Sequence, residues 1–236
     1  KVEFTYFSSN EELFAKLRAG ATGYDLIQPS DYMVRQLIEL SMLEPMDKSK
    51  LSNIKELDSY FQNLPYDPGF THSVPFTWGT TGIAINTAKV KVPAEGVTWN
   101  LLLNSPDPKH TSMLDDMREV FTTTLLVKGH SPNTKDPAAL AAAKAEMMKV
   151  KNRILMFTSE PKALLLKGEL NVAHIFSPDG IQANMDNPKI EYFIPKEGGI
   201  VWTDNFAIPK GAKSPELAHV FVNYFLDPGN ALKIIT

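Results

Sequence analysis

One pattern constrains this chain more than any other: a short apolar run, a polar turn, then an amphipathic helix, met several times along the sequence. Tyr24-Asp25-Leu26-Ile27-Gln28 reads as a strand, and Pro29-Ser30-Asp31 turns into a helix carrying Met33, Val34, Leu37, Ile38 and Leu40. Ser112-Met113-Leu114 leads through Asp115-Asp116 into a helix holding Val120, Phe121, Leu125 and Leu126, which Gly129 ends. Asn171 to Phe176 is a strand, and Ser177-Pro178-Asp179-Gly180 is its carboxyl-end turn. Strand, turn and helix make half of a βαβ unit, so the chain reads as α/β with mainly parallel strands. Val2 to Phe7 alternates as a further strand, and Ser9 with Glu12 opens a helix that stops at Gly20.

In open α/β sheets, ligands lie at the carboxyl ends of strands. Each such end here carries an acid, an aromatic residue or both: Ser30 with Tyr32, Asp116 with Glu119, Phe176 with Asp179, and Trp202 with Asp204. Trp202 and Asp204 lie two apart on a strand-like run, which puts an indole and a carboxylate on one face. Asp116 and Glu119, three apart, share a helical face. Acids that neutralise ammonium groups, with ring faces that attract them, would suit a flexible organic polycation. Three of these pairs also have a plainer reading: helix capping for Ser30, Asp31, Asp115 and Asp116, and a hairpin with a surface acid for Trp202 and Asp204.

Composition removes other chemistries. The 236 residues include no cysteine, so disulfides, thiolate nucleophiles and sulfur-ligated zinc are out. A net charge of −3 argues against nucleic acid as a partner, which would favour a basic face. No run of eighteen apolar residues could cross a membrane. The phosphate-cradling glycine motifs, the G-x-S-x-G elbow and H-E-x-x-H are missing, and the five histidines have no ligand spacing. No catalytic residue, metal ligand or cofactor is expected, and His174 reads as a hydrogen-bonded interior histidine. A hydrolase working through Asp115, Asp116 and His110 is the rival from another class.

PSDYMV (29–34), PFTWGTTGIAIN (75–86), LDDMREVF (114–121) and PKEGGIVWTDNFAIP (195–209) resemble the spermidine/putrescine-binding proteins, periplasmic components of polyamine ABC transporters. The resemblance implies a type II periplasmic binding protein fold of two α/β lobes that clamp ligand in the cleft between them by hinge closure. Lobe one would take residues 1–79, lobe two 80–203, and a return segment 204–236. It also implies that the first strand and helix and the C-terminal segment lie outside the chain. Ser30 and Tyr32 would be lobe-one contacts, and Asp116 and Glu119 acids for amino groups. Trp202 would stack on the methylenes and Asp204 would be the central acid. Phe176 stands where spermidine-preferring members have Trp, and Asp179 resembles an acid of putrescine-preferring ones, so the choice stays open with a lean to the shorter ligand. A monomer that hands polyamine to a membrane permease follows, periplasmic or lipid-anchored at the cell envelope. A different cationic solute is the alternative; an α-carboxylate would want an arginine, and of Arg18, Arg35, Arg118 and Arg153 only Arg118 is near the expected site.

Overall fold

In the computed structural model, which describes residues 1–235, the elements follow in chain order. They are α1 (Asn10–Arg18), α2 (Asp31–Glu39), β1 (Ser73–Asn86), α3 (Asn100–Leu103), β2 (Thr111–Met113), α4 (Met117–Val127), α5 (Pro137–Val150), β3 (Met156–Phe157), α6 (Pro161–Lys167), β4 (Val172–Phe176), α7 (Ser177–Asp186), β5 (Ile190–Phe193), β6 (Ile200–Ala207), α8 (Pro215–Phe225) and α9 (Pro228–Ile235). Thr236, the end of the expected return segment, lies outside the described residues.

Two compact units form: Lys1–Trp78 with Trp202–Thr236, and Gly79–Val201. In the first, the α1 start is set by Ser9, whose hydroxyl accepts the Glu12 backbone N–H at 3.2 Å. The Glu12 carboxylate accepts from Ser8 N and Oγ and pairs with Lys16 at 2.6 Å. The apolar stripe of α2, Met33, Val34 and Leu37, is buried with Leu13, Ile27, Leu43 and Ala207. Each such side chain contributes about 1.5–3 kcal/mol. A second cluster gathers Val74, Phe206, Ile208, Ala218 and Val222, with Phe76, Phe221 and Phe225 stacked around Phe206.

In the second unit, alternation along β1 and β4 divides the side chains between two layers. Ile83, Ile85 and Val172 pack with Trp99, Leu102 and Met113 on one face. Ala84, Ala173 and Ile175 pack with Leu165, Leu170 and Ala183 on the other. Both faces are covered, so these strands read as unbroken apolar runs. Gly168, at φ 76°, ends α6 in a left-handed cap open to few residues but glycine.

The sheet is mixed rather than mainly parallel. Its order is β3-β2-β4-β1-β5, with β6 also paired to β1. β2 runs parallel to β3 and β4, whereas β1 is antiparallel to β4 and β5. Strand direction depends on which distant segments pair, and alternation carries no trace of it. The two earliest expected strands are also not ladders. Val2 to Phe7 has no strand assignment, and Tyr24 to Gln28 contributes one bridge, Ile27 with Ala207. Alternation gives the faces of an extended segment but does not supply a neighbour.

Candidate ligand-binding site

In the first unit, β6 and the turn before α2 carry the chemistry. Thr203 and Asn205 of β6 are buried, while Trp202 and Asp204, offset by one, are half-buried on the opposite face. The strand is pinned beside residues 29–30: Asn205 N donates to the Pro29 carbonyl at 2.9 Å, and Ser30 and Asp204 form a bridge. Ser30 therefore does not cap α2 with its side chain. Its hydroxyl donates to Asp204 Oδ1 at 2.7 Å and accepts from Asn10 Nδ2 at 3.0 Å, while Ser30 N donates to Asn10 Oδ1 at 3.1 Å. Tyr32 donates from its hydroxyl to Glu11 at 3.0 Å. Burial holds the Asp204 carboxyl above its ordinary range; the Ser30 hydroxyl opposes this and the charge of Asp31 adds to it. An acid short of solvation is one that a cation relieves.

Asn10 and Glu11 were not foreseen. Both read as ordinary first-turn residues of α1, and nothing in their spacing points twenty residues ahead to Ser30 and Tyr32. Tyr66 was also missed; its hydroxyl donates to Asn205 Oδ1 at 2.9 Å and so braces β6 from behind.

A cavity of about 710 Å³ in the same unit is walled by Phe4, Tyr6, Leu26, Ile27, Phe206 and Phe221 and reaches Asp204. Ser30, Tyr32 and Trp202 do not line it. It lies beside the unladdered Val2–Phe7 segment, and Glu3 and Asp25 also line it.

In the second unit, Asp116 is the N-cap of α4, accepting Glu119 N at 2.9 Å. The capping reading is thus met, and it does not exhaust the pair, because the Glu119 side chain turns inward and is 7% exposed. Its Oε2 lies 3.7 Å from Nε2 of His174. Phe176 ends β4 and Asp179 lies in the first turn of α7, both half-buried. The Ser177 hydroxyl between them accepts Thr80 N at 3.0 Å, and Thr80 bonds Tyr192 at 2.9 Å, which ties the β4–α7 corner to β1 and β5. Burial also raises the Asp179 carboxyl; Lys162 lowers it and Glu160 raises it further. The helix N-terminus would favour an anion there, so burial is the stronger effect.

His174 departs from expectation. It is fully buried, yet neither ring nitrogen has a hydrogen-bond partner among the described residues. The other histidine of interest, His110, is engaged through Nδ1 with Asp107 at 2.8 Å, and Asp107 also accepts Asn171 Nδ2 at 2.7 Å. Those two contacts, Asn171 first, lower the Asp107 carboxyl. His110 is thus held by Asp107 rather than Asp115, which disfavours the hydrolase arrangement. Among the described residues no cluster of three or more His, Cys, Asp or Glu could hold a metal ion, and no helix is long and apolar enough to cross a membrane.

The description "Bacterial extracellular solute-binding protein" matches residues 1–236. The spermidine/putrescine-binding periplasmic protein 1 of Haemophilus influenzae is 37% identical over 237 residues, 99% of this chain and 66% of that protein. The spermidine/putrescine-binding periplasmic protein of Escherichia coli K12 is also 37% identical, over 99% of this chain and 68% of its own length. The chain thus spans about two-thirds of the curated relatives it matches. The solved TpPotD lipoprotein of Treponema pallidum superposes with a TM-score of 0.88 at 34% identity, covering 97% of this chain and 73% of that one. The α/β fold is therefore that of the two-lobe periplasmic binding proteins, and the chain belongs to the bacterial extracellular solute-binding protein family.

Proposed function

We propose that this chain binds polyamines, putrescine or spermidine, and delivers them to the membrane permease of an ABC transporter. The observation that carries the reading is Asp204: a desolvated carboxylate on the same strand face as Trp202, oriented by Ser30 and Asn10. A carboxylate placed this way is poorly solvated until an ammonium pairs with it, and an indole face beside it favours the same charge. In this reading Asp116, Glu119 and Asp179 take further amino groups of the same ligand, and Phe176 and Trp202 line its methylenes. Ser30 and Tyr32 complete the set from the turn before α2. The curated relatives named for spermidine and putrescine binding support it, and no covalent chemistry is asked of any residue. Residues 1–79 and 204–236 form one lobe and 80–203 the other, and the protein works as a monomer in the periplasm or anchored at the cell envelope.

Asp179, which resembles an acid of putrescine-preferring members, inclines the reading to the shorter ligand. Isothermal calorimetry with putrescine, cadaverine, spermidine and arginine tests the proposal. Saturable 1:1 heat with the polyamines and none with arginine is expected; binding of arginine alone would favour a receptor for another cationic solute.

A further inference from the structure

His174 stands where the fold asks for an apolar residue. On β4 it lies across from Ile83 of β1, on the face that packs Val172, Ile85 and Trp99. The Trp99 ring meets it edge-on at 5.2 Å. A fully buried imidazole without a hydrogen-bond partner is costly, and a methionine or leucine would fill the space without that cost. The charged atom it meets is Oε2 of Glu119, 3.7 Å from Nε2. That separation has to close by about 0.7 Å to reach hydrogen-bond length.

We propose that His174 is a positioning residue: its Nε2–H steadies the Glu119 carboxylate as an ionised acceptor for the ligand's ammonium while adding no charge of its own. The choice of ligand rests on the polyamine reading above. A lysine or arginine at this position would cancel the charge of Glu119 and compete with the guest. A leucine would put a hydrocarbon side chain in place of the ring nitrogen that faces Glu119. A neutral imidazole avoids both, and burial keeps it neutral by holding its pKa down at about 3. The proton then belongs on Nε2, because a carboxylate needs a donor facing it.

Facing His174, β1 offers Ile83 and Thr81, β2 Met113, and the start of α3 Trp99, none of which titrates near neutral pH. Glu119 comes from α4, with Asp116 at its cap; Asp179 and Tyr192 titrate on α7 and β5.

Two arms test the proposal in the full chain. First, carboxyl carbon NMR of ligand-free protein follows Glu119 in the parent, His174→Met and His174→Gln. Glu119 is expected to take up its proton at higher pH in His174→Met than in the parent, and His174→Gln, which keeps a neutral donor, to stay with the parent. Second, calorimetry with putrescine compares pH 8 with pH 5.5. His174→Met should lose more affinity than the parent on acidification, by up to about tenfold for each unit by which the proton affinity of Glu119 is raised, with His174→Gln tracking the parent. Parent behaviour in His174→Met in both arms overturns the proposal. So does an equal shift in both variants, which would mean that ring shape matters rather than the donor. If the parent binds no polyamine, the polyamine reading fails and the first arm still decides the role of His174. Should His174→Met not fold, ring nitrogen NMR of the parent decides: a proton on Nδ1, or no response of the ring to Glu119→Gln, contradicts the assignment.

Discussion

Replacing Asp204 with asparagine separates a ligand-binding acid from a structural one, because the two roles predict opposite signs. Asparagine keeps an oxygen for the Ser30 hydroxyl, which now donates to Asp204 at 2.7 Å, so the local hydrogen bond survives. What is lost is the charge. An ammonium about 3 Å from a carboxylate, at an effective dielectric of about 20, gains roughly 5.5 kcal/mol. A neutral amide oxygen returns about 1–2 kcal/mol of that as an ordinary hydrogen bond. The difference, about 3.5–4.5 kcal/mol, is roughly 2.6 to 3.3 decades in dissociation constant for putrescine. Stability should move the other way. Burial raises the Asp204 carboxyl, so the folded state holds that proton more tightly than the unfolded chain does. Such a group removes stability as pH rises from its unfolded value through its folded one, and the loss is complete at neutral pH. Asp204→Asn abolishes that loss. Urea unfolding should find the variant more stable than the parent at pH 7 and level with it near about pH 3, where both side chains are neutral. Unchanged putrescine affinity in calorimetry, with lower stability at pH 7, would refute the reasoning and leave Asp204 a structural partner of Ser30.

Three further outcomes follow from the same geometry. Trp202→Leu keeps apolar contact and loses the ring face, so polyamine affinity measured by calorimetry should fall by about two- to thirtyfold, less than for Asp204→Asn. Tyr66→Phe removes the donor to buried Asn205 behind β6 and should lower unfolding free energy by about 1–3 kcal/mol in urea melts. Gly82→Ala puts a Cβ against the backbone carbonyl of Phe193 and 2.8 Å from the Tyr192 ring, so β5 must shift; a loss of more than about 2 kcal/mol, or failure to fold, is expected in thermal melts.

Local features were the most legible in the sequence. The Ser9 and Asp116 caps depend on neighbours within a few positions, and each stands where its residue type asks for it. The family was legible for a different reason: four motifs in order carried it, and the match over residues 1–236 agrees. Long-range pairing was hidden. Ser30 reads as a cap because its partner Asp204 lies 174 positions away, and Asn10 reads as a helix start for the same reason. The direction of β1 was hidden too, since a strand has the same alternation whichever way its neighbour runs. His174 was misread in one respect: its burial was visible in NVAHIF, but the want of a partner was not, because satisfaction of a buried nitrogen is decided by atoms from α4 and not by its own strand.

The three tryptophans permit the most direct test of polyamine binding. Trp78 is 55% exposed and Trp99 is fully buried, its Nε1–H donating to Gly198 O at 2.7 Å, whereas Trp202 is half-buried beside Asp204. Tryptophan emission titrated with putrescine and spermidine should change saturably in the parent and in Trp78→Phe, and the change should vanish in Trp202→Phe. A response that survives in Trp202→Phe, or no response to any polyamine, would contradict the account.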